Sequence, residues 1–214
     1  VIGEYHDETF PVFAKKAREE KARLVLDYDF DLVEYPPSYP YHKALNRNSV
    51  YRLAHTLKEY GWDISKTAID HGYENMEKIS GLKGRCQVIS DEPLTIADVS
   101  HNADGLQHLF RYVLSILDEK GGELYLVFGT VKDKDLNPIF NLIPNNTYHY
   151  WTQSNVPRSM LVEELAIQGV MNGKEGECFK DVDEAITAAT SKAQPNDLVL
   201  ITGSTFVVAE ITNL

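Results

Sequence analysis

The stretch "IADVSHNADG" (residues 96–105) places an acid, a hydroxyl, an imidazole and an amide close together. These side chains belong to Asp98, Ser100, His101 and Asn102, which follow an apolar run and precede apolar residues at helical spacing. A helix N-terminus presents unpaired N–H groups and a partial positive charge, which suit a phosphate, and a carboxylate can accept hydrogen bonds from ribose hydroxyls. The pattern therefore predicts one edge of a ligand site.

Helix capping is the alternative interpretation of the same stretch. Asn102 or Asp104 as the N-cap would stabilise the following helix by about 1 kcal/mol and would need no ligand. Capping alone, however, does not require Asp98 and His101 as well. We therefore favour the functional interpretation.

A second group of charges lies in "FGTVKDKD" (residues 128–135), which holds two lysines and two aspartates. A lysine can pair with a phosphate or with a ligand carboxylate, and the acids can orient it. A solvated surface loop is the alternative. Arg85 in "LKGR" and Arg158 in "VPR" are further cations near element boundaries, where surface arginines are also common.

The composition limits the partners of this protein. Its 32 acidic and 21 basic residues give a net charge of −11, which argues against binding nucleic acid or an anionic membrane through general electrostatics. No apolar run approaches the roughly 20 residues that span a bilayer, and the first residues lack signal-peptide features. We expect a soluble, cytoplasmic protein with small-molecule partners and with Cys86 and Cys178 reduced and buried, without a metal site.

Three familiar catalytic motifs do not occur in the sequence. There is no GxxxxGK[ST] phosphate loop, no GxGxxG after a predicted strand, and no GxSxG to make Ser100 or Ser204 a nucleophile. We expect this chain alone to hold ATP weakly.

The elements of the first 80 or so residues are mainly helical in pattern. "VIGE" (residues 1–4) is interpreted as the end of a strand already in progress, so that the chain is expected to be a piece of a longer one. The following predictions are a helix over residues 8–20, a strand over 22–28, an irregular or hairpin segment over 29–43, a helix over 44–61, and a short helix within 63–76 that Gly72 stops.

After a boundary at residues 79–85, strands and helices alternate. A hairpin is predicted from residues 86–90 and 94–99, strands over 123–129, 147–152 and 197–203, and helices over 105–117, 136–143, 159–169, 181–193 and 204–214. The pattern predicts an α/β, Rossmann-like, mostly parallel sheet flanked by helices. Ligands bind beyond the carboxyl ends of such strands, where "DVSHN", "FGTVKDKD", "TQSNVPR" and "TGS" stand.

Five stretches in order, "GLKGRCQVI", "DVSHNADGL", "LVFGTVKDKD", "PRS" and "DLVLITGS", resemble the C-terminal domain of folylpolyglutamate synthase and bifunctional dihydrofolate synthase, relatives of the Mur ligases. The upstream "VIGE" and "ALNRNSVYRLAHTLKEYG" resemble the later part of the central ATPase domain of that family. The resemblance implies two domains, a truncated central domain over residues 1–82 and a C-terminal domain over residues 83–214.

The resemblance also implies a ligase with three substrates. ATP phosphorylates the carboxylate of a pteroate or folate, and the amine of glutamate attacks the acyl phosphate to form an amide. The phosphate loop, the magnesium ligands and a modified lysine of the family would precede Val1. It implies ATP and Mg²⁺ as cofactors and a chain that is inactive without the missing part, and we expect a monomer.

The resemblance assigns roles to several residues. Arg85 is expected near phosphate, Asp98 near ribose and Asn46 near adenine, with Asn102 also on the ATP side. His101 is the expected catalytic residue, facing the reacting phosphate. The substrate-binding candidates are Lys134, Arg158 and Ser100, which stands where the family usually has alanine. Asn48 leaves the register at Asn46 open.

Two other functions remain open from the sequence. One is a non-catalytic module that binds a nucleotide or a partner. The other is a receiver-like module in which Asp98 accepts a phosphoryl group and Lys134 contacts it. A receiver also needs two further acids near its first strand, for which the sequence offers only Asp91 and Glu92.

Overall fold

A computed structural model describes residues 1–3, 5–26, 40–212 and 214, although not the side chain of His42. Most of the predicted irregular segment over residues 29–43 lies outside these residues. The chain divides into two units, Val1–Gly81 and Leu82–Leu214. The described part of the first unit contains the helices α1 (Phe10–Glu19), α2 (Tyr41–Glu59), α3 (Lys66–Glu74) and α4 (Met76–Ser80).

The start and end of these helices follow local chemistry. Ser65 caps α3 by accepting a hydrogen bond from the Ala68 N–H at 3.0 Å. Gly81, with φ of +67°, ends α4 in the left-handed conformation that glycine adopts without strain. The prediction that Gly72 stops a helix is wrong, because Gly72 lies inside α3. A single helical glycine costs only about 1 kcal/mol, which the rest of the helix can offset.

The two strands predicted in this unit are also not formed in the described residues. Residues 1–3 and 22–26 have no assigned strand, although the Ile2 N–H donates to the Val25 carbonyl at 2.9 Å. One such bond brings two extended segments together without building a ladder. The remaining residues of both predicted strands lie outside the described part.

The second unit is built around one six-stranded sheet. Its strands are β1 (Gln87–Asp91), β2 (Leu94–Ala97), β3 (Leu124–Phe128), β4 (Thr147–Thr152), β5 (Gly176–Phe179) and β6 (Leu198–Thr202). Their order is β1-β2-β6-β3-β4-β5. Only β1 and β2 pair antiparallel, as the predicted hairpin, and the other neighbours are parallel. The predicted α/β class with a mostly parallel sheet is confirmed.

Helices cover both faces of this sheet. They are α5 (Ala103–Lys120), α6 (Asn137–Phe140), α7 (Val162–Met171), α8 (Val182–Lys192) and α9 (Thr205–Ala209). Side chains of α5, α6 and α7 join one apolar cluster, and those of α8 and α9 join another. Strand β3 alternates between the clusters, because Leu126 and Phe128 belong to the first and Tyr125 and Val127 to the second. Strands buried on both faces need such continuous apolar runs.

Three differences from the predicted elements concern short segments. Strand β5 was not predicted, because its four residues carry a glycine, an acid and a cysteine with little apolar alternation. Helices α6 and α9 are shorter than predicted, with four and five residues. No helix among the described residues combines the length and apolarity needed to cross a membrane.

The imidazole of His149 is buried where β4 pairs with β5. His149 is 7% exposed and stacks on Trp151 with ring centroids 5.0 Å apart. Its Nδ1 lies 2.9 Å from the Glu175 carbonyl oxygen, and its Nε2 is buried without a hydrogen-bond partner among the described residues. Burial lowers the pKa of His149; the bond to the Glu175 carbonyl opposes this, and the charge of Lys174 adds to it.

We expect protonation of His149 to lower the stability of this protein as the pH falls. The unfolded chain has a histidine pKa near ~6.5 and the folded chain a lower one, so the unfolded state binds more protons between the two values. The stabilisation is therefore complete above the unfolded pKa and is lost as pH falls through the folded pKa. Replacing His149→Asn should reduce the loss of unfolding free energy between pH ~7 and pH ~5, measured by urea denaturation.

The matched control is His71→Asn, which makes the same substitution at an exposed histidine of α3. Superimposable profiles for wild type and His149→Asn would show that this imidazole does not link pH to folding.

Candidate functional site

The carboxyl ends of four adjacent parallel strands meet at one edge of the sheet. Strands β2, β6, β3 and β4 are neighbours in that order, and the loops after them carry the four predicted polar clusters. A cleft of about 350 Å³ lies at this edge. It is lined by His101, Val131, Lys134, Arg158, Ser204 and Phe206, with Gly203 and Thr205. The structure thus brings together three of the predicted site residues, His101, Lys134 and Arg158.

Glycines allow the loops at this edge to approach each other. Gly203 has φ of +102°, and a Cβ there would lie 2.6 Å from the Gly129 carbonyl oxygen and 2.5 Å from the Phe128 ring. A Cβ on Gly129 would lie 2.5 Å from the Thr152 carbonyl oxygen. Real Cβ atoms do not come this close, so both positions need glycine. The Gly203 N–H also donates to the Ser100 carbonyl at 3.0 Å, which ties the end of β6 to the loop after β2.

Asp98 anchors that loop from inside the protein. It is 1% exposed, its Oδ2 accepts a hydrogen bond from the Cys86 N–H at 2.7 Å, and its Oδ1 accepts one from the Ser100 N–H at 2.8 Å. Cys86 has φ of +45°, an uncommon value for a residue with a side chain, so the bond from its N–H holds a strained turn in place.

Two predictions for Asp98 depend on whether a ligand can reach its carboxylate. The receiver-like alternative is wrong, because a phosphoacceptor must present a carboxylate oxygen to the phosphoryl donor, and this carboxylate is buried and bonded to backbone on both sides. The contact with ribose stays a prediction. The role that the contacts define is to hold the backbone beside Arg85 and His101.

The ring of His101 is exposed and held at one nitrogen. Its Nδ1 lies 3.0 Å from the Val99 carbonyl oxygen. A carbonyl oxygen can only accept, so the proton of this bond is assigned to Nδ1. The neutral ring then has a lone pair at Nε2, and the protonated ring a second donor there. His101 can therefore exchange a proton at Nε2 without losing its tie to the backbone.

The capping interpretation is confirmed for Asn102. Its Oδ1 accepts a hydrogen bond from the Gly105 N–H at 2.8 Å and caps α5. Asp104 makes no cap and lies 3.8 Å from His108. Ser100 is half-buried, and its backbone rather than its hydroxyl makes the bonds to Asp98 and Gly203. Neither Asn102 nor Ser100 lines the cleft.

Arg158 is held by an acid of the neighbouring loop. Its Nε donates to Asp133 Oδ1 at 3.1 Å, and a second guanidinium nitrogen donates to Asp133 Oδ2. The Arg158 hydrogen bond holds the pKa of Asp133 below its usual range, and Asp133 raises the pKa of Arg158. Asp135 accepts a hydrogen bond from the Asn137 N–H at 3.1 Å. The two acids therefore orient an arginine and a helix start, and not a lysine as predicted.

Lys134, unlike Arg158, is not held by an acidic side chain in the described part of the protein. It is half-buried in the cleft wall, and it makes no hydrogen bond or ion pair with the described residues. Arg85, exposed in the turn before β1, likewise makes none within the described part of the chain. Arg85 is not among the residues that line the cleft, so its contact with phosphate stays a prediction.

The predicted adenine contact belongs to the first unit. Asn46 is exposed on α2, whereas Asn48 is 7% exposed. Of the two asparagines that left the register open, Asn46 is therefore the one whose side chain a ligand can reach in that unit. Its contact with adenine stays a prediction.

Ser204 and Phe206 line the cleft but were not among the predicted site residues. Ser204 is 3% exposed, and its Oγ accepts a hydrogen bond from the Phe206 N–H at 3.1 Å to cap α9. Phe206 is 39% exposed in the cleft wall. The available signal was the position of "TGSTF" directly after a buried strand, which is where ligands bind in such sheets.

The described residues do not offer a metal site. No group of three or more His, Cys, Asp or Glu side chains in this part of the chain could hold an ion. Neither cysteine forms a disulfide, and both are within the described residues. The prediction of burial holds for Cys86 and is wrong for Cys178, which is exposed because β5 is an edge strand.

Comparisons with known proteins give the following matches. Residues 84–205 match the family described as "Mur ligase, glutamate ligase domain". The dihydrofolate synthase/folylpolyglutamate synthase of Escherichia coli (strain K12) is 30% identical over 156 residues, 72% of this chain and 35% of that protein. Its namesake from Buchnera aphidicola subsp. Baizongia pistaciae is 27% identical over 219 residues, 95% of this chain and 50% of that protein.

A solved structure shares the fold. The bifunctional folylpolyglutamate synthase/dihydrofolate synthase from Yersinia pestis, complexed with AMPPNP and Mn ion, gives a TM-score of 0.72 at 24% identity. The match covers 94% of this chain and 49% of that one. This chain therefore spans half or less of the length of these relatives.

We expect Asp98→Asn to lower the free energy of unfolding by about 1–3 kcal/mol, because an amide leaves one buried backbone N–H without its acceptor. Urea denaturation would measure the loss, and hydrogen exchange would show faster exchange at the Cys86 and Ser100 amides. Asp104→Asn, an exposed acid on the next helix, is the control. Unchanged exchange at both amides in Asp98→Asn would contradict the anchoring role.

Proposed function

Because this chain belongs to the Mur ligase family through its glutamate ligase domain, we propose that it takes part in the ATP-dependent joining of L-glutamate to dihydropteroate or a folate. The observation that carries the proposal is the cleft at the carboxyl edge of the sheet, where His101, Lys134 and Arg158 face one space. All three lie within the residues that match the family. Lysine and arginine side chains suit the carboxylates of glutamate and folate and the phosphate of ATP.

The proposed reaction has two steps. The carboxylate of dihydropteroate or folate attacks the γ-phosphorus of ATP, which forms an acyl phosphate and releases ADP. The amine of glutamate then attacks the acyl carbon, so that a C–N bond forms, the C–O bond to phosphate breaks and the amine loses a proton. Activation is needed because a free carboxylate has no good leaving group.

Each candidate residue has a role in this proposal. Lys134 and Arg158 bind substrate carboxylates, and their charges stabilise the negative charge that develops on the acyl oxygen. His101 faces the reacting phosphate, where its Nε2 can accept or donate a proton while Nδ1 stays on the Val99 carbonyl. Ser100 stays a proposed substrate-binding residue.

The remaining candidate residues are proposed to form the ATP-binding side of the site. Arg85 is proposed near phosphate, Asp98 near ribose and Asn46 near adenine, and Asn102 contributes by shaping the start of α5. Residues 1–82 are proposed as the end of a central ATPase domain and residues 83–214 as a C-terminal domain. The Yersinia pestis relative was solved with AMPPNP, an ATP analogue, and with Mn ion, which supports ATP and a divalent cation as participants.

The divalent cation does not fit the residues described in this chain, because they contain no cluster of metal-ligating side chains. No step is therefore assigned to a metal held by them. We propose a monomeric, cytoplasmic enzyme whose other reactants are small molecules.

A domain exchange tests the reaction. Residues 83–214 would replace the matching region of the Escherichia coli relative, and ADP release would be measured with dihydropteroate and with or without L-glutamate. We expect glutamate-dependent turnover, and His101→Ala in the chimera should lower kcat about a hundredfold. Normal turnover of His101→Ala and Asp98→Ala at saturating ATP would reject the site assignment.

Binding to the 214-residue chain provides a test that does not depend on the chimera. We expect L-glutamate to shift the NMR signals of residues around Lys134 and Arg158. A folded chain whose signals do not respond to L-glutamate or ATP would contradict the proposed function.

A further inference from the structure

We propose that Asp133 is a positioning residue, which fixes the guanidinium of Arg158 in the cleft and offsets part of its charge, so that a ligand meets an oriented Arg158 beside a Lys134 that no hydrogen bond among the described residues holds. The proposal rests on the proposed function for the identity of that ligand, L-glutamate. The pairing itself is independent of that identity.

The ion pair joins a residue inside the cleft to one outside its lining. Arg158 lines the cleft and Asp133 does not. Their side chains are 60% and 57% exposed, and the two nitrogens of Arg158 face the two oxygens of Asp133 in a bidentate arrangement. Asp133 therefore binds Arg158 from outside the cleft lining, and a substrate would meet the part of the guanidinium that Asp133 leaves open.

The backbone already holds the two loops together without this ion pair. The Lys132 N–H donates to the Arg158 carbonyl at 3.1 Å, and the Met160 N–H donates to the Thr130 carbonyl at 2.9 Å. An isolated bridge also pairs Val131 with Ser159. Exposed ion pairs add little to stability. What the pair does restrict is the direction of a long side chain with several rotatable bonds.

The two cations of the cleft, Arg158 and Lys134, differ in whether an acid is bonded to them. The bond from Arg158 holds the pKa of Asp133 below its usual range, so this carboxylate stays ionised at neutral pH. It offsets part of the charge of Arg158, and the charge of Lys134 also lowers this pKa, but Lys134 makes no hydrogen bond or ion pair with the described residues. The cleft thus offers a fixed, planar donor and a second cation whose direction no hydrogen bond from those residues fixes. An amino acid with two carboxylates can use both, which a compact anion cannot.

The test compares two anions on the full 214-residue chain. L-Glutamate and inorganic phosphate would be titrated by NMR into wild type, Asp133→Ala and Asp133→Glu. In Asp133→Ala we expect L-glutamate to bind about threefold to fivefold more weakly, whereas phosphate binds as well or better because a negative charge is gone. Asp133→Glu keeps the carboxylate and should restore most of the glutamate affinity.

The control is an equally exposed acid in another ion pair. Glu163 on α7 lies 3.1 Å from Lys180, and Glu163→Gln should change neither affinity. If Asp133→Ala binds both L-glutamate and phosphate more tightly, Asp133 contributes only its charge. If the variant binds both more weakly, Asp133 supports the loop. If neither affinity changes, Asp133 has no role in binding. Each of these three results overturns the proposal.

A measurement without ligand separates this proposal from the proposed function. The Arg158 Nε–H should exchange slowly with water in wild type and faster in Asp133→Ala, because Asp133 Oδ1 accepts its hydrogen bond. Equal exchange rates overturn the positioning role. A chain that shows the change in exchange but does not bind L-glutamate retains the positioning of Arg158 and refutes the proposed function.

Discussion

A buried carboxylate connects the two segments on which the edge of the cleft depends. Asp98 joins backbone amides of the turn before β1 and the loop after β2, reaching Cys86 12 residues earlier in the chain. A polar group at 1% exposure is costly unless it is hydrogen-bonded, and both oxygens of Asp98 are. The same loop then accepts the Gly203 N–H through the Ser100 carbonyl. The position of His101 thus follows from contacts that His101 does not itself make.

The strand ends and their order along the chain could be predicted from sequence, whereas partnerships across loops could not. Apolar runs such as "LYLVF" and "LVLIT" have one interpretation, a strand buried on both faces, and they fix where the polar clusters begin. Nothing in the spacing of Asp133 and Arg158, 25 residues apart, shows that the acid faces this cation and not Lys134. That choice depends on how two loops meet after β3 and β4 have paired.

The errors of sequence interpretation have a common physical cause. A helix end at Gly72 is predicted because glycine has poor helix propensity, yet propensity is a weak preference that neighbouring residues can outweigh. The sequence does not predict strand β5, because an edge strand needs little apolar alternation. Asn102 has two candidate roles; the structure shows the local one, the helix cap, and its place on the ATP side stays a prediction. Local rules succeeded where a contact is local, and they failed where tertiary packing decides.

The order of strands has a consequence for how this site comes into being. β6 is the last of the six strands in sequence, yet it lies between β2 and β3 in the sheet. Until residues 198–202 have been synthesised and inserted, the sheet has a gap at its centre, and the walls that carry His101 and Arg158 have nothing to hold them in register. Such non-local pairing is slow to form. The two walls of the cleft can therefore meet in register only after β6 has been inserted, so a nascent chain that ends before residue 198 cannot form the cleft.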